Sequence, residues 1–300
     1  MLMEISMKYN DIKNNKNNFT NSYNMQNSFP RCDAFKELEN LIGLKEVKKT
    51  LAEVTAFSLI QTRRTELNLK VSPATFHMIF NGNPGTGKTT VARILGNVFN
   101  NIGILTKGHL VEVERADLVG EYIGHTAQKT KEMLKKSLGG IMFIDEAYTL
   151  AQGGEKDFGL EAIATLVKAM EDYRDNLIII LAGYTGEMEK FIRSNPGLRS
   201  RFPIHISFND YDAEELFLIA LQMYMERDYE LTSRCRWKLK NILMEFSKNH
   251  HPYSGNARYV RNLVEKSIRL QALRLIDRPS LNRKELVTIE EKDLPDVNSL

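Results

Sequence analysis

Apolar and polar positions change their spacing along the chain in a way that distinguishes two kinds of segment. From Asp33 to about Leu69, apolar residues recur at helical spacing and are interrupted at Ile42-Gly43-Leu44, which predicts two helices. Short apolar runs typical of buried strands follow at Phe76–Phe80, Leu110–Val113, Ile141–Ile144, Leu177–Leu181 and Ile204–Phe208. Amphipathic stretches such as Phe158–Tyr173 separate these runs. Strands that alternate with helices predict a parallel α/β sheet.

The pattern changes again after Asp212, beyond which no further strand is predicted. Helical spacing predicts three helices there, at Leu216–Met225, Arg236–Lys248 and Ala257–Leu275. We therefore expect an α/β domain with its N-terminal helices over residues 30–209, a helical domain over 210–283 and a C-terminal tail over 284–300.

Residues 1–29 differ from the rest of the chain in composition. They contain eight Asn and few aliphatic residues. Such a segment cannot bury enough apolar surface to offset the entropy lost on ordering, so it is predicted to be a disordered tail.

The overall composition is that of a globular protein, with 42% apolar and 26% charged residues. The net charge of +3 gives no general case for nucleic acid or membrane. No apolar run approaches the ~20 residues that a membrane helix needs. The N-terminus also lacks a basic segment followed by an apolar one, so we expect no signal peptide and a cytoplasmic location.

The first apolar run ends in a glycine-rich segment that matches the phosphate-loop pattern GxxxxGK[ST] in full. Glycines let the backbone curl so that several N–H groups face phosphate oxygens, and the following helix adds its N-terminal dipole. Lys88 is expected to reach the β- and γ-phosphates, and the Thr89 hydroxyl to hold Mg²⁺. The expected nucleotide contacts are Gly82, Asn83, Pro84, Gly85, Thr86, Gly87, Lys88, Thr89 and Thr90.

A second chemical signal is the pair of acids that ends the run at Ile144. Because the ends of parallel strands face the ligand crevice, Asp145 is expected to complete the Mg²⁺ shell. Glu146 is expected to act as the base that polarises the attacking water. The sequence therefore predicts ATP and Mg²⁺ as the cofactors.

From Leu41 to about Leu275 the chain resembles an AAA+ ATPase, and more narrowly the group that contains stage V sporulation protein K and the red-type Rubisco activases. Beyond the two motifs above, the resemblance rests on segments Leu41–Leu44, Asp117–Thr126, Asn195–Phe202 and Gly255–Arg258. It implies a five-stranded sheet of order 5-1-4-3-2, a small C-terminal helical lid and a hexameric ring.

The resemblance also assigns residues in the first domain. Ile42 and Gly43 match the segment that lines the adenine pocket, although they are also simply a helix break. Tyr122, Ile123 and Gly124 match the pore loop of protein-threading members, and a Tyr buried under a loop is the plainer alternative. An aromatic side chain on such a loop can grip a peptide with little regard for its sequence.

Three further assignments concern the chemistry. Arg201, with Arg199 as the second candidate, matches the arginine that reaches the neighbouring subunit's ATP, unless both are ordinary surface arginines. Arg258 matches the lid arginine called sensor 2, or else it caps a helix. The family often places Asn after the fourth strand, and here Tyr184 or Thr185 stands in its place.

Three functions remain open at this point. The first is an ATP-driven remodeller that acts on an unidentified protein substrate, and the Asn-rich tail favours the sporulation type. The second is a nucleic-acid motor or loader, because residues 234–278 hold eleven Lys or Arg against three acids; a solvated helix face explains this charge better, so nucleic acid is not the expected partner. The third is a nucleotide-dependent scaffold, which the complete set of candidate catalytic residues disfavours.

Overall fold

The structure, a computed structural model, describes residues 33–71, 75–122, 124–153, 158–248 and 255–295. The segment predicted to be a disordered tail, 1–29, lies outside these ranges. The described residues of Gln26–Gly82 and Gly87–Asn209 form one unit, and those of Asn83–Thr86 and Asp210–Leu300 form the other.

A five-stranded parallel sheet forms the centre of the first unit. Its strands are β1 (Met78–Gly82), β2 (Leu110–Val113), β3 (Ile141–Ile144), β4 (Ile178–Gly183) and β5 (Ile204–Phe208). Their order is β2-β3-β4-β1-β5, which confirms the order 5-1-4-3-2 read from the other edge. In the register of β1, Phe80 lies opposite Ala182 on one side and Ile206 on the other.

Two strands are offset from their predicted bounds for one physical reason. Predicted at Phe76–Phe80, β1 instead runs on through Asn81 and Gly82, which pair with Ser207 and Phe208. Likewise, β4 continues past Leu181 to Gly183. Ladder hydrogen bonds are made by the backbone and continue through polar or small residues, which an apolar pattern does not mark.

Helices cover both faces of this sheet. They are α1 (Asp33–Asn40), α2 (Lys45–Glu66), α3 (Lys88–Asn101), α4 (Arg115–Leu118), α5 (His125–Ser137), α6 (Gly159–Asp172), α7 (Thr185–Ser194) and α8 (Pro196–Arg201), with a 3-10 helix at Ala147–Ala151. Side chains of α1, α2 and α3 pack against the strand face that contains Phe80 and Phe143. Side chains of α5 to α8 pack against the opposite face, which contains Ile79 and Met142. Because both faces of β3 and β4 are buried, these central strands consist of continuous apolar or small residues, whereas the edge strands β2 and β5 include exposed polar ones.

The second unit is mainly helical. It contains α9 (Ala213–Met225), β6 (Glu230–Leu231), α10 (Ser233–Lys248), α11 (Ala257–Leu275), α12 (Arg283–Val287), β7 (Thr288–Ile289) and a 3-10 helix at Glu291–Asp293. The three longest helices were predicted. The expectation that strands stop after Asp212 is wrong, because β6 and β7 pair in parallel. Each is only two residues long, too short to show any periodicity.

The segment that follows residue 283 packs against these helices. Nε and Nη2 of Arg274 donate to the two carboxylate oxygens of Asp293, both at 2.8 Å, and Asp293 is buried. Ile289 and Leu294 are buried as well. We therefore propose that the lid continues to Pro295, beyond the tail boundary expected at 284. Within the described chain, every helix is too short or too polar to span a bilayer.

Candidate active site

The phosphate loop joins β1 to α3, and its two ends belong to the first unit. Gly82 has a φ of +152°, and a Cβ there would lie 2.3 Å from the Phe208 carbonyl oxygen, so only glycine fits beside β5. Gly87 is the N-cap of α3, where no side chain provides the cap and the first turn holds no acidic residue. The Lys88 ammonium donates a hydrogen bond to the Gly82 carbonyl at 2.8 Å. The lysine is thereby held over the loop, next to an uncapped helix N-terminus that attracts anions.

The middle of the loop, Asn83–Thr86, belongs to the second unit. Gly85 has a φ of +72°, and a Cβ there would lie 2.1 Å from the Gly255 carbonyl oxygen. The N–H of Ala257 donates to the Gly85 carbonyl at 3.1 Å. The buried Thr86 hydroxyl donates to the Asn83 carbonyl at 2.8 Å. The loop is therefore fixed by contacts that leave no space for a larger residue at position 85.

Asp145 and Glu146 follow β3 directly, and both are exposed. The Asp145 N–H still pairs with the Val113 carbonyl at 3.0 Å, so this residue continues the ladder. Glu146 has a left-handed backbone (φ 46°, ψ 43°), and its N–H donates to Oδ1 of Asp145 at 3.0 Å. Such a conformation costs of order 1 kcal/mol or more for a residue with a side chain and recurs at functional sites. The extended backbone therefore ends at Asp145.

A cavity of about 850 Å³ opens beside these two acids. Asp145, Glu146 and Thr149 line it, together with Arg115 and Lys129. Arg115 donates a hydrogen bond to the Thr149 carbonyl. The segment Val119–Glu121, just before Tyr122, also lines this cavity. Asp145, Glu146 and the segment that leads into the candidate pore loop therefore line the same cavity.

Tyr184 lies at the end of β4 as the N-cap of α7. Its ring centroid lies 6.1 Å from that of Tyr148, which comes from the 3-10 helix after Glu146. Burial, and then the negative charge of Glu146, raise the pKa of Tyr148 to about 12. Sequence reasoning missed Tyr148, and its only signal was its position three residues after Asp145.

The two candidate finger arginines share the short helix α8, which Asn195 caps by accepting from the Leu198 N–H. Arg199 is exposed. Arg201 is held within the chain, with Nη2 2.6 Å from a Glu171 oxygen and Nη1 donating to the Gly197 carbonyl at 3.2 Å. The two arginines therefore differ in their surroundings. Among the described contacts, neither arginine bonds to Glu146.

Tyr122 is 66% exposed, so it is not a buried tyrosine under a loop. Its ring meets that of His125 edge-on at 5.5 Å. Gly124 has a φ of +84° and caps α5, while Ile123 lies outside the described residues. Tyr122 therefore lies at the surface of the chain.

The remaining residues that were expected to contact the nucleotide lie in the first turn of a helix or between two helices. Ile42 is buried and Gly43 has a φ of +65°, so the pair does separate α1 from α2. Arg258 is exposed in the first turn of α11, and its N–H donates to the Gly255 carbonyl at 2.7 Å. Thr89 and Thr90 occupy the first turn of α3.

The residues at this site are compatible with a magnesium ion that a nucleotide also coordinates. Among the described residues, no group of three or more His, Cys, Asp and Glu side chains could hold a metal by itself. Mg²⁺ commonly takes one or two protein oxygens and completes its shell with phosphate and water. The Thr89 hydroxyl and the Asp145 carboxylate are oxygen groups of the kind that such binding uses.

Comparison with known proteins agrees with this geometry. The ATPase family associated with various cellular activities (AAA) matches residues 78–210, and the AAA lid domain matches residues 212–299. Among solved structures, a point variant of RuvB from Thermotoga maritima covers 83% of this chain and 69% of its own, at a TM-score of 0.56 and 20% identity. This likeness supports the fold alone.

Curated relatives are much more similar in sequence. Stage V sporulation protein K of Bacillus subtilis is 54% identical over 260 residues, which cover 86% of this chain and 81% of the relative. CbbX of Cereibacter sphaeroides is 46% identical over 266 residues, covering 87% and 85%. The chloroplastic ribulose bisphosphate carboxylase/oxygenase activase of Cyanidioschyzon merolae is 42% identical over 280 residues, covering 90% and 94%. On the strength of the phosphate loop, the strand order, the lid and these relatives, the chain belongs to the AAA ATPase family and is an ATP-hydrolysing enzyme.

Proposed function

We propose that this ATPase is a protein remodeller, a hexameric ring that pulls a protein substrate through its central pore. The observation that carries the proposal is the exposed Tyr122, which directly follows a segment, Val119–Glu121, that lines the cavity of Asp145 and Glu146. An exposed aromatic on a loop beside glycines can grip an unfolded peptide by packing. A loop that shares a cavity with the catalytic acids can move with the state of the nucleotide.

ATP, when bound, supplies the phosphoryl group that is transferred to water. The backbone N–H groups of the phosphate loop and the dipole of α3 bind the phosphates, and the Lys88 ammonium neutralises charge that builds up on them. Thr89 and Asp145 would hold Mg²⁺. The Glu146 carboxylate orients a water molecule and accepts its proton.

Oligomerisation completes this site. Arg201, with Arg199 as the second candidate, would stabilise charge at the ATP of the next subunit. Such an arginine is worth ~10³-fold or more in rate. Glu171 keeps Arg201 in a fixed place within its own subunit, which preorganises the guanidinium for a neighbour.

Four other residues have roles that we propose from the family resemblance. Arg258 would sense the γ-phosphate, Ile42 and Gly43 would contact the adenine, and Tyr184 would orient the water through its hydroxyl. Tyr148, whose ring lies against Tyr184, would support that orientation.

The relative named stage V sporulation protein K suggests the setting of this activity. Because that relative is 54% identical, we propose a sporulation-type role for this chain as well. The relative named ribulose bisphosphate carboxylase/oxygenase activase acts on a protein, which is the class of substrate we propose here.

The alternative of a nucleic-acid motor rests on the basic lid, and the described contacts weaken it. Arg274 pairs with Asp293, Arg278 pairs with Glu285, and Lys238 donates to the Leu294 carbonyl. Several of the positive charges are thus used inside the lid. A gel-shift titration at low salt tests this alternative, because phosphate contacts weaken steeply as salt increases.

The threading proposal is tested with a photo-crosslinking amino acid at position 122 in the Glu146→Gln background, which should retain ATP and substrate. The protein that crosslinks only with ATP is then purified and its unfolding is measured. Tyr122→Ala is expected to keep most of the basal ATPase activity and to lose unfolding of that protein, whereas Tyr122→Phe keeps both. Unfolding by Tyr122→Ala at the wild-type rate would contradict the proposal.

A further inference from the structure

The middle of the phosphate loop is held by two groups of residues from the second unit. Asp210 and Tyr211 lie between β5 and α9, and Asn256 lies in the turn before α11. We propose that Asp210, Tyr211 and Asn256 form a P-loop clamp, which sets the loop conformation that binds phosphate and links ATP binding to α11. The proposal depends on the ATPase activity and not on the threading of a protein.

The Asp210 carboxylate connects the loop to the turn. Nδ2 of Asn83 donates to its two oxygens at 3.0 and 2.9 Å, and Nδ2 of Asn256 donates to Oδ1 at 2.8 Å. Hydrogen bonds to an ionised acceptor are roughly twice as strong as neutral ones. One carboxylate therefore fixes the first residue of Asn83–Thr86 and the residue before α11 together.

Tyr211 holds the other end of the same four residues. Its buried hydroxyl donates to the Thr86 carbonyl at 3.1 Å. Its backbone N–H donates to Oδ1 of Asn256 at 3.0 Å. Asp210 thus bonds to Asn83 and Tyr211 bonds to Thr86, the first and last residues of this segment. Both also bond to Asn256.

The turn before α11 holds the middle of the loop. The Ala257 N–H donates to the Gly85 carbonyl at 3.1 Å, and Nδ2 of Asn256 donates to the Pro84 carbonyl at 3.4 Å. Asn256 is 1% exposed and has φ 42° and ψ −121°. A residue with a side chain keeps such a backbone only where its surroundings determine it.

The direction of these bonds explains how the clamp acts. The C=O and the following N–H of a planar trans peptide point in opposite directions. Asn256, Ala257 and Tyr211 hold the carbonyls of Pro84, Gly85 and Thr86. The N–H groups of the next residues, Gly85, Thr86 and Gly87, therefore point in the opposite direction. Those are the amides that a phosphate needs. The clamp residues are therefore positioning residues, which act on phosphate through the loop backbone.

The test measures the dissociation constant for ATP by calorimetry with Mg²⁺, and the KM and kcat of the ATPase, on the full chain. Asp210→Asn places an amide at position 210 opposite the amide of Asn256. Asn256→Asp places a carboxylate at position 256 opposite that of Asp210. Each is expected to raise the dissociation constant and the KM about tenfold, the value of one charge-assisted hydrogen bond, with kcat within about twofold.

Combining the two substitutions restores the pairing. The new amide at position 210 can donate to the new carboxylate at 256 and accept from Asn83, while the Tyr211 N–H keeps its acceptor. A carboxylate at 256 cannot donate to the Pro84 carbonyl, so the double variant is expected to recover part of the lost affinity and to bind ATP more tightly than either single variant. Failure of the double variant to recover affinity would overturn the proposal.

Two further variants distinguish positioning from folding. Tyr211→Phe keeps the ring and removes only the bond to Thr86, so it is expected to weaken ATP binding several-fold. Asp212→Asn is the matched control, because Asp212 caps α9 by accepting from Glu214 and Glu215, and Asn caps equally well. Lower melting temperatures with wild-type ATP affinity in Asp210→Asn and Tyr211→Phe would show a merely structural clamp and overturn the proposal. Absence of ATP binding by the wild type would instead contradict the ATPase assignment.

Discussion

Glu146 shows at the scale of one residue how the backbone contributes to the site. Its left-handed conformation places an exposed carboxylate directly after Asp145, and the 3-10 helix that begins there brings Tyr148 close to Tyr184. The acids could be predicted from the sequence because an apolar run that ends in Asp-Glu is a local signal. Tyr148 and the Glu171 partner of Arg201 could not be predicted, since their contacts depend on how separate helices meet the sheet.

The tight contact at Gly85 leads to the first prediction. Gly85→Ala adds a methyl group against the Gly255 carbonyl at a φ of +72°, so we expect it to destabilise the protein by about 1–3 kcal/mol and to weaken ATP binding. Thermal denaturation and ATP titration measure the two effects. The matched control is Gly186→Ala, because a Cβ at Gly186 meets nothing within 4 Å and the residue lies in α7. Equal melting temperatures for the two variants would show that the loop has more space than the structure gives it.

At the scale of the element, what the sequence predicts depends on length and periodicity. Three of the five strands of the sheet have their predicted bounds. Of these, β3 is an apolar run that is buried throughout, whereas the edge strands β2 and β5 begin and end on apolar residues and have exposed polar residues between them. The paired strands β6 and β7 could not be predicted, since two residues have no period. The fold of the segment after 283 depends on Asp293, whose partner lies 19 residues away on α11.

The ion pair of Arg274 and Asp293 leads to the second prediction. Their side chains are only 11% and 1% exposed, so Arg274→Ala leaves a buried carboxylate without its main partner. We expect a loss of about 3 kcal/mol in the free energy of unfolding, measured by urea denaturation. Arg278→Ala removes the more exposed pair with Glu285 and should lower the free energy of unfolding much less. Similar losses for the two variants would mean that Arg274 does not anchor the C-terminal segment.

For the whole molecule, the resemblance rather than the spacing of residues predicted an active site shared between subunits. The described chain supplies a complete phosphate loop and two acids, yet Arg201 contacts Glu171 within its own subunit. Assembly therefore has to be tested by combining subunits.

Mixing two inactive variants gives the third prediction. Lys88→Ala and Arg201→Ala should each be inactive as a uniform assembly. An equal mixture that assembles at random should recover about a quarter of wild-type ATPase activity, because an intact loop and an intact neighbouring arginine each occur half the time. A mixture of Lys88→Ala with Glu146→Gln is the control and should recover nothing, since both changes affect the same subunit's site. If the first mixture also stays inactive although mass spectrometry shows mixed assemblies, Arg201 does not act on a neighbour.

The most direct test of the account compares ATP binding and ATP turnover in the wild type and in Glu146→Gln. We expect the variant to bind ATP with Mg²⁺ within about threefold of wild-type affinity, because the loop and Lys88 are unchanged, and to lose at least ~100-fold in turnover with the base removed. Glu121→Gln, which changes another exposed acid of the same cavity, should keep wild-type turnover. Wild-type turnover by Glu146→Gln, or failure of the wild type to bind ATP in the presence of Mg²⁺, would contradict the account.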